Sequence, residues 1–372
     1  MAGLQDVARK AGVSLSTASV VLNPGRKAKF VAEDRVARVR DAARELGYVV
    51  NYHARSMKMG LSRTVGIPLQ IGGQVWQERS RLGNAYFSSL VGAAEITLTE
   101  RGFATTIIGP RGHEDSVLDR ARRAIDQRRI DGLVIPGVLM AVAGHALLSR
   151  LDDTPVVAVE YREPTDVPVV DWDERLGLQL IVDHLADLGH RRLLWLGRER
   201  HPASGPGVEM REALFCKTCM ARNISPVVCG YSRWGGATAD ARQVSDVERE
   251  SDQAAASLAA WLSQTGGEGV TAIVGFNDAA AIGACRALVA AQRRVPQEFS
   301  VVGIDNQHAA LMVPKLTSLD HMLHEMGHRS AEILLDMIEN KTQLDRFRGL
   351  RELVPPVLSI RESTGPASEG RA

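Results

Sequence analysis

The stretch LQDVARKAGVSLSTASVVLN, residues 4–23, decides the fold of the first part of the chain. Its first apolar residues recur at the spacing of one helical face: Leu4, Val7, Ala8 and Ala11. Gly12 is suited to end that helix, and Ser14 is suited to cap a second helix over residues 15–22. Two short helices separated by Gly-Val-Ser predict a helix-turn-helix, a unit that places its second helix in the major groove of DNA.

The same periodicity assigns the two faces of the second helix. Its inward face is predicted to hold Ala18, Val21 and Leu22. Its outward face is predicted to hold Leu15, Ser16, Ser19 and Val20. A third helix is predicted from about residue 32 to 46, with an apolar face formed by Val36, Val39, Ala42, Ala43 and Leu46. Three such helices can close a small all-α head.

Charge is distributed unevenly along the chain. Residues 1–63 contain 12 Lys or Arg and five Asp or Glu, a net charge of +7. Residues 64–372 contain 33 basic and 39 acidic side chains, a net charge of −6. A basic head on an acidic body favours a polyanionic partner such as nucleic acid, although a charged face can also be merely solvated.

The rest of the chain predicts an α/β body. Domains typically have roughly 100–200 residues, so a chain of 372 residues predicts two or three of them. Short apolar runs alternate with helical stretches, at residues 65–69, 104–108, 132–136 and 155–159 and again at 192–197, 225–230, 272–276 and 301–304. This alternation is typical of doubly wound parallel sheets. Two such units in succession place a ligand cleft between them.

Composition excludes several other classes of protein. Hydrophobic residues make up 45% and charged residues 24%, which is ordinary for a globular protein and excludes a disordered, collagen-like or coiled-coil chain. The longest nearly apolar stretch, residues 132–148, is broken by Pro136 and Gly137 and is too short for a membrane span of about 20 residues. No secretory signal is recognisable, so we expect a cytoplasmic protein with four reduced cysteines and no membrane contact.

Two motifs could indicate an enzyme or a metal site. His324-Glu325-Met326-Gly327-His328 has the HExxH spacing, but no glycine and histidine follow at the metzincin distance. Cys216 and Cys219 form a CxxC without a second pair to complete a zinc site. Phosphate-loop, dinucleotide-binding and nucleophile-elbow motifs are absent. We therefore expect no catalytic residues, no metal and no cofactor.

Further short motifs follow one another in a fixed order along nearly the whole chain. The head contains Asp6-Val7-Ala8, Ala11-Gly12-Val13-Ser14, Val21-Leu22-Asn23 and Leu46-Gly47-Tyr48. The body contains Asp131-Gly132-Leu133, Leu188-Gly189-His190-Arg191, Asn277-Asp278 and Gly303-Ile304-Asp305-Asn306. In this order and spacing they resemble the lactose-repressor (LacI/GalR) family of bacterial transcription regulators. The resemblance implies a periplasmic-binding-protein-like body, in which the chain crosses three times between two subdomains.

The resemblance also implies domain boundaries. The head is predicted at residues 1–50, a hinge helix with its linker at 51–62, and an effector-binding and dimerisation body at 63–361. Within the body, subdomain one is predicted at about 63–170 and 303–330, and subdomain two at about 171–302 and 331–361. Residues 362–372 are predicted to be a disordered tail.

The DNA-contacting residues implied by the family lie in two segments. Those in and near the helix-turn-helix are Ser14, Leu15, Ser16, Thr17, Ser19, Val20, Asn23 and Tyr48. Those in the hinge are Asn51, Ala54, Arg55, Met57 and Lys58. Among the base-reading positions, Val20 can pack on a thymine methyl group but cannot make the bidentate contact to guanine. Met57 stands where members usually carry leucine, and it would wedge into the minor groove at the central base step.

The effector-binding residues implied by the family are Tyr86, Phe87, Trp172, Arg211, Asn277 and Asp305. Tyr86 and Phe87 are expected on the loop after the first strand of the body. Trp172 replaces the usual Asn or Asp, so it could offer a stacking face in place of a hydrogen bond. A guanidinium, a carboxylate and a carboxamide together suit a small polyhydroxylated or heteroaryl molecule, such as a sugar or a related metabolite.

Three functions are compatible with parts of this sequence. A small-molecule-controlled regulator that binds a pseudo-palindromic double-stranded DNA operator explains the basic head, the helix-turn-helix and the cleft together. A ligand-binding receptor without DNA would need a signal peptide, and an HExxH metalloenzyme would need a complete metal site. A regulator is therefore predicted, with repression favoured over activation because repression needs only occupancy of the promoter. A homodimer is expected because one helix-turn-helix buries little surface, and a tetramer is left open.

Overall fold

A computed structural model describes residues 2–22, 31–49, 60–69, 85–109, 117–136, 154–162, 164–199, 207–232, 246–267 and 269–368. The chain divides into two compact units, residues 1–63 with 128–130 and residues 64–127 with 131–372. The described helices of the first unit are α1 (Leu4–Ala11), α2 (Leu15–Leu22) and α3 (Glu33–Glu45). The second unit contains all of the described strands.

The head has the predicted helix-turn-helix. Gly12 ends α1 in the left-handed region at φ 64°, and the Thr17 N–H donates to Ser14 Oγ at 3.1 Å to start α2. The core of the head is formed by Val7, Ala8, Ala11, Ala18, Val21, Val39, Ala42 and Ala43. Ser19 was predicted on the outward face, but it is only 9% exposed. Because α2 packs against both α1 and α3, a larger part of its surface is buried than packing against a single helix would bury.

The body contains seven described α-helices and twelve described strands. The strands are β1 (Thr64–Pro68), β2 (Ala104–Ile108), β3 (Gly132–Pro136), β4 (Val156–Val159), β5 (Val169–Trp172), β6 (Arg192–Arg198), β7 (Ser225–Tyr231), β8 (Ala272–Gly275), β9 (Ser300–Ile304), β10 (Thr317–Asp320), β11 (Arg351–Val354) and β12 (Val357–Ser359). The α-helices are α4 (Ala85–Glu100), α5 (Val117–Asp126), α6 (Glu174–Asp187), α7 (Gly207–Ala221), α8 (Asp246–Thr265), α9 (Asp278–Ala290) and α10 (Leu323–Glu339), with 3-10 turns at Ala309–Leu311 and Lys341–Phe347.

The strands form two six-stranded sheets within the described residues. The first has the order β11-β5-β4-β3-β1-β2 and the second β12-β10-β9-β8-β6-β7. All pairings are parallel except that of β10 with β12. The chain passes between the sheets after β5, after β10 and after β11, which gives the three expected crossings. We call each sheet with its packed helices a subdomain.

The predicted allocation of segments to the two subdomains is wrong for β10, β11 and the C-terminal part of α10. β10, predicted in subdomain one, pairs with β9 in the second sheet, and β11, predicted in subdomain two, pairs with β5 in the first. α10 packs against the first sheet and against α4. A Cβ on Gly327 would lie 2.4 Å from the Leu90 carbonyl oxygen, so only glycine allows this close helix contact. The second crossing therefore lies between residues 320 and 323.

The C-terminal segment also departs from its prediction, because residues 362–368 are ordered against the second sheet. Ser363 is fully buried, and its hydroxyl donates to the Val301 carbonyl at 2.6 Å and accepts from the Thr317 N–H at 2.8 Å. His190 bonds to Thr271, Ser300 and the carbonyl of Gly365. Small polar residues resemble a disordered tail in composition, but here their hydroxyls satisfy buried backbone groups.

None of the described helices has both the length and the apolar character that crossing a membrane requires.

Ser363→Ala should lower the free energy of unfolding by roughly 2–4 kcal/mol, because it leaves one buried carbonyl and one buried N–H without a partner. Urea denaturation measures the change. The matched control is Ser263→Ala, which removes an exposed hydroxyl bonded to its own helix and should change stability by less than about 0.5 kcal/mol. Equal effects of the two substitutions would contradict an anchored C-terminal segment.

Candidate functional site

Polar and aromatic side chains collect where the parallel strands of both sheets end. In open α/β sheets, the crevice at the carboxyl ends of the strands is where ligands bind. A connected group of eight side chains lies there, and we call it the cleft cluster: Glu160, Arg162, Trp172, Glu174, Arg211, Phe276, Asp305 and His321. Four of them follow strand ends directly, and Glu174 and Arg211 come from α6 and α7.

Arg211 lies at the centre of the cleft cluster, with a side chain only 8% exposed. Its Nε donates to Glu174 in a short bond, and its Nη1 donates to the carbonyl of Phe276 at 3.1 Å. The guanidinium carbon is 5.3 Å from the ring centroid of Trp172 and 4.6 Å from that of Phe276. These ring contacts add cation–π attraction to the ion pair. Arg211 is therefore held in one orientation by both charge and packing.

Glu174 links the two subdomains through its second oxygen. Arg162, which follows β4 of the first sheet, donates from Nη1 to Glu174 Oε2 at 2.6 Å. Both side chains are nearly buried, at 15% and 12% exposure. Since α6 packs on α7 and on β12, this ion pair crosses from one subdomain to the other. Breaking such a pair would leave an uncompensated buried charge.

Trp172 stacks on a histidine of the chain itself. Its ring centroid is 4.3 Å from that of His321, with the planes inclined by 17°. Trp172 was expected to offer a stacking face to the effector, and His321 stacks on one face of its ring; the effector contact stays a prediction. The indole Nε1 of Trp172 and both ring nitrogens of His321 are buried and have no hydrogen-bond partner among the described residues. The cluster thus contains polar atoms that are not satisfied internally.

Three carboxyl groups around the cluster have raised pKa values. Burial raises the pKa of Glu160 to about 7 and that of Asp171 to about 6, and it raises that of Asp305 well above its usual range. Neighbouring acids raise these values further, whereas Arg162 and Arg211 lower them. Burial and the nearby guanidinium groups lower the pKa of His321 well below its usual value.

A second ion-pair group, formed by Arg198, Glu250 and Tyr231, contacts the cleft cluster through the ring of Phe276. Arg198, at the end of β6, makes two bonds to Glu250 of 2.5 and 2.7 Å, and Tyr231 Oη donates to the same carboxylate at 2.6 Å. The Arg198 guanidinium carbon is 4.3 Å from the ring centroid of Phe276. This arrangement holds α8 against the sheet and fixes the ring that packs on Arg211.

Asn277 caps α9, and Asp278 holds the loop that carries Asp305. The Asn277 side chain caps α9 by accepting from the Ala280 N–H at 2.9 Å, so its oxygen is already used. Asp278 accepts from Ser318 Oγ at 2.6 Å and from the Gln307 N–H at 2.8 Å. The predicted roles of Asn277 and Asp305 as effector contacts stay predictions.

Tyr86 and Phe87 lie in the first turn of α4 rather than on the expected loop. Phe87 is 8% exposed. The side chain of Tyr86 lies outside the described part of the structure.

Most of the predicted DNA-contacting residues of the head that the structure describes lie in α2 or directly before it, and Tyr48 follows α3. Leu15 is 46% exposed and Ser16 is exposed, whereas Thr17, Val20 and Tyr48 are half-buried. Ser14 Oγ lies 2.8 Å from the hydroxyls of both Ser16 and Thr17, in addition to capping α2. Six further predicted residues lie outside the described residues: Asn23, Asn51, Ala54, Arg55, Met57 and Lys58.

The HExxH and CxxC segments both lie in helices of the body. His324 and Glu325 are exposed in the first turn of α10, and His328 Nδ1 lies 2.8 Å from Thr97 Oγ1 of α4. No group of three potential metal ligands occurs among the described residues. All four cysteines are free, and burial raises the pKa of Cys219 to about 12.

The sequence reasoning missed Glu160, Arg162, Glu174, Phe276 and His321. A usable signal existed for three of them: Glu160 and Phe276 directly follow buried apolar strands, and His321 directly follows the mostly polar strand β10. Polar or aromatic residues at the carboxyl ends of parallel strands are candidates for a ligand site on that ground alone. Glu174 and Arg162 carry no such signal, since their pairing depends on the three-dimensional approach of the subdomains.

The chain is similar to known proteins in both sequence and structure. The family described as "Bacterial regulatory proteins, lacI family" matches residues 3–51, and the "Periplasmic binding protein-like domain" matches residues 182–364. The HTH-type transcriptional repressor PurR of Pectobacterium atrosepticum is 30% identical over 92% of this chain and 92% of its own. The ribose operon repressor of Escherichia coli (strain K12) is 28% identical over 98% of this chain and 100% of its own.

Solved structures with the same fold cover both units. A lac repressor dimer bound to operator and the anti-inducer ONPF has a TM-score of 0.71 at 24% identity, covering 98% of this chain and 99% of that one. A complex of the transcriptional regulator CelR with cellobiose has a TM-score of 0.62 at 22% identity, covering 98% of this chain and 100% of that one. These matches confirm the predicted fold class, and the curated relatives are repressors rather than enzymes. The chain therefore belongs to the lacI family of DNA-binding transcription regulators controlled by small-molecule effectors.

Proposed function

We propose that this regulator is a repressor that acts as a homodimer on a pseudo-palindromic operator and binds a polyhydroxylated effector at the cleft cluster. The observation that carries the proposal is the set of buried charged side chains contributed by both subdomains to one crevice. Burial of so many charges is costly unless a ligand or a partner charge completes their interactions. No catalytic role is proposed for these residues, and DNA binding implies a cytoplasmic location at the nucleoid.

We infer the effector class from the hydrogen-bonding groups that the cleft cluster offers. Carboxylates accept hydrogen bonds from hydroxyl groups, and the guanidinium of Arg211 can donate to one. Because His321 covers the ring of Trp172, the cleft offers less aromatic surface than a heteroaryl effector would use. The names of related proteins give the same indication: one relative is a ribose operon repressor, and one solved neighbour contains cellobiose. We therefore propose a sugar or a sugar-like polyol, contacted by Arg211, Asp305 and the amide of Asn277.

For DNA, the exposed side of α2 is proposed to enter the major groove. Leu15, Ser16 and Val20 would read base edges, and Val20 would favour thymine over guanine. Phosphate contacts would come from hydroxyls near the start of α2 and from Tyr48. The hinge residues Ala54, Arg55, Met57 and Lys58 complete the proposed interface.

Operator affinity should fall steeply with salt, because basic side chains of the head would displace counterions from phosphates. The expected slope of log affinity against log salt is about −0.9 for each phosphate neutralised. Fluorescence anisotropy on a site selected from random duplexes measures it. Affinity that does not depend on salt, or that is equal for selected and random duplexes, would contradict the proposal.

Arg211→Ala should weaken effector binding by at least roughly tenfold, the cost of losing a charged hydrogen bond. Operator binding without effector should be retained, since Glu174 keeps its bond to Arg162. Calorimetry with the best ligand from a panel of ribose, lactose and cellobiose measures the loss. The matched control is Arg222→Ala, a half-exposed ion-pairing arginine just after α7. Normal effector affinity in a folded Arg211→Ala protein would refute the assignment.

A further inference from the structure

His321 lies between two carboxyl groups that come from different subdomains. Its Nδ1 is 3.7 Å from Glu160 Oε1, and its Nε2 is 3.6 Å from Asp305 Oδ1. Glu160 follows β4 of the first sheet, Asp305 follows β9 of the second, and His321 follows β10 at the second crossing. The imidazole is only 3% exposed, and neither nitrogen has a hydrogen-bond partner among the described residues. An unsatisfied buried ring is costly, so its position needs an explanation.

The backbone around this triad is held in an unusual conformation. Glu160 has φ 57°, Asp305 has φ 111°, and Met322, the neighbour of His321, has φ 60°. None of these residues is glycine, so each conformation costs free energy that the surrounding structure must offset. Residues with such backbone conformations concentrate at functional sites. Here two of them, Glu160 and Asp305, belong to the triad, and the third, Met322, is the neighbour of His321. The triad is also fixed by stacking of His321 on Trp172.

The number of protons in the triad decides how many of its contacts can form. A neutral imidazole has one N–H and one lone pair. Between two carboxylates it can donate to one of them, and its lone pair then faces the negative charge of the other. One added proton removes this conflict. It makes the ring an imidazolium that donates to both carboxylates, or it makes one carboxyl an acid whose O–H donates to the bare nitrogen.

We propose that Glu160, His321 and Asp305 form a proton-dependent bridge, which helps to hold the two subdomains closed when it carries one added proton and weakens their closure when that proton is lost. Its consequence for effector binding rests on the proposed function of the cleft, because closure would cover the same residues. A ligand that prefers the closed state would then bind better when the bridge is protonated.

The environment determines where the added proton resides and when it leaves. Burial raises the pKa of Glu160 to about 7 and lowers that of His321 well below its usual value, so the proton belongs to the carboxyl side. Asp305 also has a raised pKa. Because the pKa of Glu160 is raised to about 7, its proton is bound below about pH 7 and lost above it. The charged groups that face the triad are Arg162, Asp171, Glu174, Arg198, Arg211 and Asp278.

Amide hydrogen exchange of the ligand-free, full-length protein tests the bridge. Two amides report on it, one in each subdomain: the N–H of Glu160 donates to Val170 and that of Asp305 donates to Leu319, both at 2.9 Å. After correction for intrinsic rates, both should be about tenfold better protected at pH 6 than at pH 8, the change expected for one linked proton that titrates near pH 7.

Three variants make the test specific. Glu160→Gln keeps an N–H donor that cannot be lost by titration, so protection should persist at pH 8. His321→Phe keeps a ring against Trp172 but removes both nitrogens, so protection should be low at both pH values. Glu332→Gln alters a half-exposed histidine–carboxylate pair outside the cleft, with His328, and should behave as the unmodified protein does.

Equal protection at pH 6 and pH 8 in the unmodified protein would overturn the proposal. So would an unmodified pH response in His321→Phe. Should that variant fail to fold, Glu160→Gln still decides, because a tenfold loss of protection at pH 8 in this variant would exclude the bridge. No effector is present in these measurements, so failure of the bridge and failure of the proposed effector site are told apart by the separate calorimetry on Arg211→Ala.

Discussion

Arg162, Glu174 and Arg211 form a chain of ion pairs on which the rest of the cleft depends. All three side chains are 15% exposed or less, and each of the two arginines bonds a different oxygen of the one carboxylate. Desolvation of these charges is offset only while the geometry is kept, so the carboxylate fixes both guanidinium groups. Since Arg162 belongs to the first subdomain and Glu174 to the second, the same pair also sets the spacing between them. The aromatic rings of Trp172 and Phe276 then pack around an arginine that is already in place.

If the cleft cluster binds the effector as proposed, this arrangement would let one crevice serve both recognition and conformational control. A ligand that offered hydroxyl groups to Asp305 or Arg211 would compete with contacts that the chain makes with itself. Its binding free energy would therefore be coupled to the relative positions of the two subdomains. The stacked pair of Trp172 and His321 lies at two of the three crossings, where small changes in side-chain contacts act on the connection between the sheets. Coupling through such contacts is what a regulator needs to transmit an effector signal.

Much of the fold could be predicted because its signals are local. Leu4, Val7, Ala8 and Ala11 define a helix face within about two turns of one helix, and the apolar strands are short and well separated. The allocation of β10 and β11 could not be predicted, since pairing partners are decided by hydrogen bonds between segments distant in sequence. The order of the C-terminal segment could not be predicted for a related reason, because the hydrogen-bond partners of Ser363 are Val301 and Thr317, which are distant in sequence.

The candidate site divides in the same way. Arg211 and Asp305 could be placed by resemblance, and Glu160 and His321 carry a signal in their positions after strands. The stacking of Trp172 on His321 could not be predicted, because it requires β5 and β10 of different sheets to end side by side. The ion-pair partners within the cluster, such as Glu174 and Arg162, could not be predicted, because their pairing depends on the three-dimensional structure.

The most direct test of the ion-pair chain is a double-mutant cycle on Arg162 and Glu174 in the full-length protein. Arg162→Met, Glu174→Gln and the double variant would be compared by their free energies of unfolding at constant pH. A buried pair that joins the subdomains should show a coupling energy of roughly 1–3 kcal/mol. Additive effects, with a coupling below about 0.5 kcal/mol, would contradict the claim that this contact holds the cleft together.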